Sequence, residues 1–274
     1  MTDPTADFDT EVDVVVLGTG GAGLTAALAA HDFGAGEVLI LEKSGMVGGT
    51  TAMSGGMLWI PLNDQQAEHG VEDSFDEVVA YVDGLADDGQ LDPDVFGAFL
   101  EEGPAMLRWF EERTPVRLRL FPGFPDYQSW AEGAKDHGGR SLDNEVFPFV
   151  ELGPWAKWVN PPKTGWPRRT SMIEDYYPPD LGDDVMADRE ARDCRGQGQA
   201  LVGSLLKGVL DRGITLHRES RARHLITDGR RVVGVETEED EAVRRIRARK
   251  GVIIATGGFE WNEKLVASFL RGPM

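Results

Sequence analysis

Residues 12–17 read VDVVVL, residues 18–23 read GTGGAG and residues 24–30 read LTAALAA. The first run is rich in β-branched residues, as in strands that are buried on both faces of a parallel sheet. The third run has the alanine and leucine content of a helix that ends near Gly34, and VLILE at 38–42 predicts a second strand. The stretch therefore predicts one complete βαβ unit.

The glycines of GTGGAG have separate tasks in a dinucleotide-binding turn. Gly18 permits the tight turn, Gly20 lets backbone amides approach a pyrophosphate, and Gly23 lets the helix and strand pack closely. The N-terminus of the helix adds partial positive charge toward the phosphates. Glu42 ends the second strand, where a carboxylate accepts hydrogen bonds from ribose hydroxyls and disfavours a 2′-phosphate. The motif predicts a dinucleotide cofactor but does not separate NAD from FAD.

The next stretch favours FAD. Residues 43–61 read KSGMVGGTTAMSGGMLWIP. They offer many backbone amides and hydroxyls with little side-chain bulk, which suits the close approach of a large planar cofactor. An NAD-binding domain more often continues directly into another helix.

Weaker patterns organise the rest of the chain. Apolar periodicity predicts helices within 75–110 and across 197–210. A short strand is predicted at 215–217, and HLITD at 224–228 followed by RRVVGVETE at 230–238 predicts a hairpin.

Two stretches about two hundred residues apart carry a family resemblance. GGTTAMSGG at 48–56 and WIP at 59–61 resemble the flavin-binding stretch of the fumarate reductase/succinate dehydrogenase flavoprotein superfamily, and in detail that of the 3-ketosteroid Δ1-dehydrogenases. RARKGVIIATGGF at 247–259 resembles the strand that returns to the FAD domain in this family and ends in an A-T-G-G turn. GQALVGSLL at 198–206 is similar to another family segment.

The resemblance implies an α/β fold, in which a Rossmann-like FAD-binding domain is interrupted by an inserted, partly helical and loop-rich substrate or cap segment. The predicted boundaries are 1–61 for the first part of the FAD domain, 62–195 for the insertion and 196–274 for the second part. The family is roughly twice as long, so its C-terminal half is expected to be absent from this sequence. FAD is expected to bind noncovalently, because residues 44–58 contain no histidine that could tether it.

The expected FAD contacts come from the first glycine motif, the end of the second strand, the glycine-rich stretch and the A-T-G-G turn. The resemblance adds backbone near Ala222, which is expected to pass the adenine. The residues predicted to contact FAD are Gly18, Gly20, Gly21, Ala22, Gly23, Glu42, Lys43, Gly49, Thr50, Thr51, Ser54, Gly55, Gly56, Ala222, Ala255, Thr256 and Gly257.

Tyr127 is the catalytic candidate. FPGFPDY at 121–127 resembles the family segment whose final tyrosine enters the steroid-dehydrogenase active site, where it hydrogen-bonds a second tyrosine and strengthens that residue as a base. A supporting hydrogen bond suits Tyr127 better than an independent role as base, because the reference pKa of tyrosine is about 10. The alternative is an ordinary, half-buried tyrosine after a proline turn.

The inserted segment contains several other candidates. Residues 115–195 are rich in proline, glycine and aromatics, which favours a lid or an apolar pocket for a hydrophobic ligand such as a steroid. Most individual tryptophans are nevertheless expected to pack in a core. Arg140 is expected on the surface, Cys194 is expected to be structural, and His137 is expected to be solvent-exposed. No histidine spacing indicates a metal site.

Composition narrows the classes of partner and compartment. Asp and Glu number 47 against 28 Lys and Arg, and the net charge of −19 disfavours nucleic acid or an anionic membrane as partner. The single cysteine excludes an intramolecular disulfide, and a reducing cytoplasm is expected. No apolar run reaches the roughly 18 residues of a transmembrane helix, and residues 1–10 lack the features of a signal peptide.

The resemblance implies an FAD-dependent oxidoreductase that dehydrogenates the C1–C2 bond of a 3-ketosteroid-like substrate, with hydride transfer to flavin N5. Two alternatives stay open from the sequence. One is a fumarate-reductase-like flavoprotein, and the other is a catalytically incompetent FAD-binding fragment that needs a partner chain. The electron acceptor is not specified by any motif.

Overall fold

The computed structural model describes residues 7–86, 91–239 and 242–270. The chain divides into two compact units, the first comprising 1–50 and 211–274 and the second comprising 51–210. These divisions fall at different positions from the boundaries at 61 and 195 that the sequence suggests.

Helices and strands alternate along much of the chain. The helices are α1 (Gly21–Asp32), α2 (Gln65–Glu68), α3 (Phe75–Asp83), α4 (Pro93–Arg113), α5 (Met172–Tyr176), α6 (Asp183–Ala191), α7 (Gln197–Asp211) and α8 (Glu263–Phe269). The strands are β1 (Thr10–Leu17), β2 (Val38–Leu41), β3 (Leu58–Trp59), β4 (Leu118–Pro122), β5 (Gly138–Asn144), β6 (Phe147–Pro148), β7 (Cys194–Arg195), β8 (Thr215–His217), β9 (Arg221–Asp228), β10 (Arg231–Glu239) and β11 (Ala242–Ile254). No helix within the described ranges is both long and apolar enough to cross a bilayer.

The first unit is built on a six-stranded sheet with the order β8-β2-β1-β11-β10-β9. The strands β8, β2, β1 and β11 run parallel, whereas β10 and β9 join as antiparallel neighbours. Val15 and Ile40 are fully buried, as expected for strands covered on both faces. The predicted βαβ unit and the predicted hairpin are therefore confirmed.

The pairing of β1 with β11 brings the two predicted glycine motifs together. Leu17 lies opposite Ile254, and the Ala255 amide donates to the Leu17 carbonyl at 2.9 Å. GTGG and ATGG consequently begin side by side at the carboxyl ends of two adjacent parallel strands. In open α/β sheets, ligands bind at the carboxyl ends of the parallel strands.

Two glycines of the first motif have no space for a side chain. Gly18 has a φ of +104°, and a Cβ on it would lie 2.4 Å from the Ala255 carbonyl oxygen. A Cβ on Gly23 would lie 2.1 Å from the Gly18 carbonyl oxygen. The tight turn and the close approach of α1 to β1 thus require glycine at both positions.

The second unit contains the predicted helices and a small antiparallel sheet with the order β3-β5-β4. The helical region within 75–110 contains α3 and the greater part of α4, whose N-caps are Ser74 and Asp92. The predicted helix at 197–210 is confirmed as α7, and its Gly203 leaves room for the rings of Phe147 and Phe149. The sequence did not indicate β5, whose residues GGRSLDN are all buried although most are polar.

Leu39→Ala tests the core of the first unit. Leu39 is 3 % exposed and belongs to the hydrophobic cluster formed by β1, β2, β10 and β11. Its truncation should lower the free energy of unfolding by about 2–5 kcal/mol, because the cavity collapses only partly. Urea denaturation measures this loss when the unfolding free energy depends on the urea concentration with the same slope in both proteins. Leu225→Ala, on β9 at 38 % exposure, is the control, and an equal loss in both variants would contradict the assignment of the core.

Candidate active site

Thr19, which follows β1, forms hydrogen bonds with the end of β2 and with the glycine-rich stretch at the predicted cofactor site of the first unit. Its fully buried hydroxyl donates to Glu42 Oε2 and accepts from the Gly48 amide at 3.1 Å. The Thr19 amide also donates to Glu42 Oε2, at 3.1 Å. The ends of β1 and β2 and the glycine-rich stretch are thereby held against one another. The sequence did not single out Thr19, because a threonine within a glycine motif has no distinctive spacing.

Glu42 lies at the end of β2 and is 7 % exposed. Oε2 accepts the two Thr19 donors, while Oε1 accepts the Ser44 amide at 3.0 Å. A carboxylate offers about four acceptor positions. Three described donors therefore leave one position for a ribose hydroxyl, and the donor set fits the predicted role of Glu42.

The N-terminus of α1 consists of residues with little or no side chain. Gly20 is the N-cap, Gly21 and Ala22 open the helix, and no side-chain hydrogen bond caps it. Helix N-termini carry partial positive charge, and their amides bind phosphate groups. Because no side chain fills the cap position, a pyrophosphate fits this turn.

The glycine-rich stretch meets the segment that follows the A-T-G-G turn. Gly49 has a φ of +49°, and a Cβ on it would lie 3.9 Å from the Gly20 Cα atom. Thr50 Oγ1 donates to Glu260 Oε1 at 3.0 Å. The pKa of the Glu260 carboxyl is lowered by its own backbone amide and by Thr50, with a smaller contribution from the exposed Lys43. Residues 43–50 and 255–260 are thus linked within the first unit.

The second unit holds four of the predicted cofactor contacts, which are Thr51, Ser54, Gly55 and Gly56. Ser54 Oγ donates to the Thr51 carbonyl at 2.8 Å and accepts from the Gly56 amide at 3.0 Å. Gly56 has a φ of +70°, and Asn144 Nδ2 donates to its carbonyl at 2.6 Å. This turn is consequently shaped by its own hydroxyl and by β5.

The remaining predicted contacts lie at two places in the first unit. Ala255, Thr256 and Gly257 follow β11 directly, and Thr256 and Gly257 are exposed beside the first glycine motif. Ala222 lies instead on β9, opposite Thr237, at the edge of the sheet. The pairing of the strands therefore brings the A-T-G-G turn to Gly18 but leaves Ala222 three strands away from β1.

Tyr127 is 84 % exposed rather than half-buried. It lines two cavities of the second unit, together with Pro125 and Asp126. The first cavity, of about 340 Å³, is also lined by Met57, Leu58, Trp59, Tyr81, Val82 and Ser141. The second cavity, of about 320 Å³, is also lined by Phe121, Gly123, Phe124, Ser129, Tyr176 and Tyr177. Most of these groups are apolar or aromatic, as the sequence led us to expect for this segment.

The aromatic wall of the second cavity consists of phenylalanine and tyrosine. The Phe121 ring packs edge-on against Tyr176 and Tyr177, with centroids 5.4 and 6.1 Å away. Trp130 and Trp166 are 77 % and 81 % exposed, so the prediction of core packing is wrong for these two tryptophans. Neither one contributes to the walls of the two cavities.

Arg140 is fully buried, and the prediction that it lies on the surface is wrong. Its guanidinium binds Asp73 through two hydrogen bonds, from Nε at 2.9 Å and from Nη2 at 2.6 Å, and it donates from Nη1 to Asp126 at 2.8 Å. The guanidinium carbon also lies 5.8 Å from the ring centre of Trp59 and 5.6 Å from that of Tyr81. Two carboxylates and two aromatic rings compensate for the loss of water around this charge.

The titration of this cluster favours the charged forms. Burial alone would raise the pKa of the Asp73 carboxyl, but hydrogen bonds from Arg140 and Gln66 outweigh burial and lower it. Burial likewise opposes the charge on Arg140, whereas Asp73 and Asp126 raise its pKa. The Arg140–Asp73 ion pair therefore persists across the physiological pH range.

Three other titratable groups do not line the two cavities of Tyr127. Burial raises the pKa of the Asp143 carboxyl, although the amide of Ile173 opposes that shift through a 2.8 Å hydrogen bond. Cys194 is 3 % exposed, and burial raises the pKa of its thiol, which suits the structural role expected from the sequence. The His137 side chain is 96 % exposed, as expected.

With this geometry established, comparison with known proteins assigns the chain to a family. The profile described as FAD binding domain matches residues 13–271, and the chain belongs to this family. The cofactor class expected from the glycine motifs is thereby confirmed as FAD.

Two of the similar proteins act on ring ketones according to their names. The chain is 32 % identical to the 3-oxosteroid 1-dehydrogenase of Mycolicibacterium smegmatis, over 96 % of this chain and 50 % of that protein. It is 36 % identical to the 4-oxocyclohexanecarboxylate 2-dehydrogenase of Sinomonas cyclohexanicum, over 96 % of this chain and 46 % of that protein. The chain thus spans about half the length of the curated relatives it matches.

A solved structure shows the same fold. The 3-ketosteroid Δ1-dehydrogenase of Sterolibacterium denitrificans, in complex with 1,4-androstadiene-3,17-dione, superposes with a TM-score of 0.86 at 30 % identity. The match covers 97 % of this chain and 51 % of that one. The resemblance seen in the sequence to the 3-ketosteroid Δ1-dehydrogenases is therefore confirmed.

Arg140→Met tests the buried ion-pair cluster. The variant removes the guanidinium from two buried carboxylates, while Lys135 Nζ stays 3.8 Å from Asp73 Oδ1. The free energy of unfolding should fall by about 3–5 kcal/mol at pH 7. Because the folded-state pKa of Asp73 lies below its unfolded value of about 3.9, the pair stabilises the fold above that value and loses this effect as the pH falls. The loss should therefore shrink below about pH 4.

Urea denaturation of both proteins at pH 7 and at acidic pH measures this difference. Arg108→Met is the control, because the Arg108–Asp64 pair is solvent-exposed and should contribute less than about 1 kcal/mol. A loss for Arg140→Met that is no greater than the control, or that grows in acid, would contradict the account.

Proposed function

We propose that this chain carries the FAD-binding and Tyr127-bearing parts of an FAD-dependent dehydrogenase that acts on a 3-oxosteroid-like ring ketone. The observation that carries the proposal is the position of Tyr127, which is exposed at the wall of two largely apolar cavities. Similarity to 3-oxosteroid 1-dehydrogenases over nearly the whole chain supports it. The single cysteine supports the cytoplasm as the compartment.

The cofactor-binding part of the proposal rests on the first unit. The N-terminus of α1 would hold the pyrophosphate, and the fourth acceptor position of Glu42 would hold a ribose hydroxyl. The turns at 49–56 and 255–257 would supply further contacts to FAD, and Ala222 would pass the adenine. Noncovalent binding is proposed because residues 44–58 contain no histidine.

The names of the relatives define a common reaction class. A 1-dehydrogenase of a 3-oxosteroid desaturates the C1–C2 bond, and a 2-dehydrogenase of a 4-oxo ring desaturates the C2–C3 bond. In both cases the new double bond includes the carbon next to the ketone. The proton on that carbon is acidic, because the negative charge left by its removal is delocalised onto the ketone oxygen.

The cavities favour a neutral steroid over a ring carboxylate as substrate. Among the described residues that line them, none is a lysine, an arginine or a histidine. A carboxylate buried against these walls would lack a cationic partner, which is costly. An apolar polycyclic ketone would instead gain from contact with the aromatic rings.

The chain's own residues bind and orient the substrate in this proposal. Tyr127 supplies a hydroxyl whose hydrogen bond supports removal of the proton next to the ketone. When bound, FAD supplies the acceptor for the hydride from the neighbouring carbon. Further substrate-binding groups would come from the equivalent of the relatives' unmatched half, in the same protein or in a second chain.

A fumarate-type reaction is less well supported by the site. Such a reaction would use an arginine as acid or as a clamp for the substrate. Arg140 is fully buried and engaged by two carboxylates, so it has no free face for a substrate. An FAD-binding fragment without activity of its own remains the competing outcome of the experiment below.

Gly23→Ala tests the proposed cofactor site. The added Cβ would meet the Gly18 carbonyl oxygen and displace the turn at the N-terminus of α1. FAD affinity should fall at least tenfold, which corresponds to about 1.4 kcal/mol. Titration with FAD, followed by visible absorption, measures it. Gly251→Ala, where a Cβ meets open space, should retain affinity, and an equal loss in both variants would contradict the site.

Tyr127→Phe tests the proposed activity. The purified chain is loaded with FAD and assayed with androst-4-ene-3,17-dione and an artificial electron acceptor, alone and with the unmatched half of the Mycolicibacterium smegmatis relative. Removal of the hydroxyl should lower turnover by about 2-fold to 10-fold, because one hydrogen bond contributes about 0.5–1.5 kcal/mol.

Trp166→Phe is the control for this assay, because the exposed Trp166 lies outside both cavities. Undiminished turnover of Tyr127→Phe would contradict the role of the hydroxyl. Bound FAD without turnover in either mixture would instead support the inactive-fragment alternative.

A further inference from the structure

Tyr127 and the residue before it differ sharply in exposure. Tyr127 is 84 % exposed, whereas Asp126 is 3 % exposed. Within the described residues, the Tyr127 hydroxyl makes no hydrogen bond, and its one aromatic neighbour is the ring of Phe124, with centroids 6.2 Å apart. The position of Tyr127 is therefore set mainly by its backbone.

The Asp126 carboxylate holds that backbone through three donors. Oδ1 accepts from Trp59 Nε1 at 2.7 Å, and Oδ2 accepts from Arg140 Nη1 at 2.8 Å. Oδ2 also accepts from the Lys135 amide at 2.9 Å, while the Asp126 amide donates to the Lys135 carbonyl at 3.0 Å. Asp126 thus closes the loop at 126–135 and fixes it to β3 and β5.

The remainder of this loop contacts α3 through the backbone of the loop. The Gln128 amide donates to the Tyr81 hydroxyl at 3.3 Å, and Gly133 approaches the Glu77 carbonyl so closely that a Cβ would lie 2.0 Å away. Asp126 is the point at which the loop meets the buried charge of Arg140. Arg140 keeps its two hydrogen bonds to Asp73 independently of Asp126.

We propose that Asp126 is a positioning residue for Tyr127, whose side chain it holds at the two cavities by fixing the 126–135 loop to Arg140, Trp59 and Lys135. The inference rests on the proposed role of Tyr127 toward a ring ketone. Because Asp73 still neutralises Arg140 when Asp126 is changed, neutralising Asp126 should loosen the loop rather than unfold the cluster.

The test observes Tyr127 directly in the FAD-loaded full chain. The sequence has four tyrosines, so labelling with 3-fluorotyrosine gives four fluorine resonances, and Tyr127→Phe identifies the relevant one. Asp126→Asn should shift or broaden the Tyr127 resonance, alter its pH titration and abolish the shift caused by androst-4-ene-3,17-dione. Asp126→Glu, which keeps the charge, should restore part of the steroid-induced shift.

Asp32→Asn is the control, because Asp32 likewise accepts hydrogen bonds from an arginine, Arg212, but lies in the first unit. It should leave the Tyr127 resonance unchanged. If Asp126→Asn does not fold, Trp59→Phe removes one of the three donors and should produce a smaller change in the same resonance.

An unchanged Tyr127 resonance and titration in the folded Asp126 or Trp59 variant would overturn the inference. The same change in Asp32→Asn would also overturn it, because the effect would then be general. If androst-4-ene-3,17-dione does not shift the wild-type resonance, the proposed function fails, and the ligand-free spectra still decide whether Asp126 positions Tyr127.

Discussion

The buried guanidinium of Arg140 is the constraint on which the second unit depends. A charge removed from water is stable only when paired and hydrogen-bonded, and Asp73 and Asp126 meet that requirement from opposite sides. Asp73 and Asp126 belong to different loops, and both bind the same guanidinium. Their ion pairs with Arg140 therefore fix both loops. The loop that carries Tyr127 is consequently held in place although Tyr127 itself is exposed.

The strand that bears Arg140 extends this constraint along the chain. Asp143, on the same strand, accepts the Ile173 amide at the start of α5, and Asn144 holds the Gly56 carbonyl. A single polar strand therefore organises the wall that contains Tyr176, the turn at 54–56 and the Tyr127 loop. In the first unit, Thr19 has a comparable role, since its one hydroxyl joins the ends of two strands to the glycine-rich stretch.

The predictable parts of the molecule are those set by local sequence. A β-branched strand followed by GTGGAG allows the chain few local conformations, and the strand before ATGG has the same kind of sequence. Both strands therefore lie where the sequence predicts them. The burial of Arg140 could not be predicted, because it depends on carboxylates 67 and 14 residues away that are brought near only by folding. The strand β5 was missed for the same reason, since its polar residues are satisfied by distant partners.

The proposed role of this chain in the FAD-dependent oxidation of a steroid ring ketone can be tested through the reductive half-reaction. The FAD-loaded chain, with the unmatched half of a relative added, is mixed with androst-4-ene-3,17-dione in the absence of oxygen and of any other acceptor. If the proposal is right, the visible absorption of oxidised flavin is lost, and one androsta-1,4-diene-3,17-dione forms per flavin. Retention of the oxidised spectrum, in a sample shown to bind both FAD and the steroid, would contradict it.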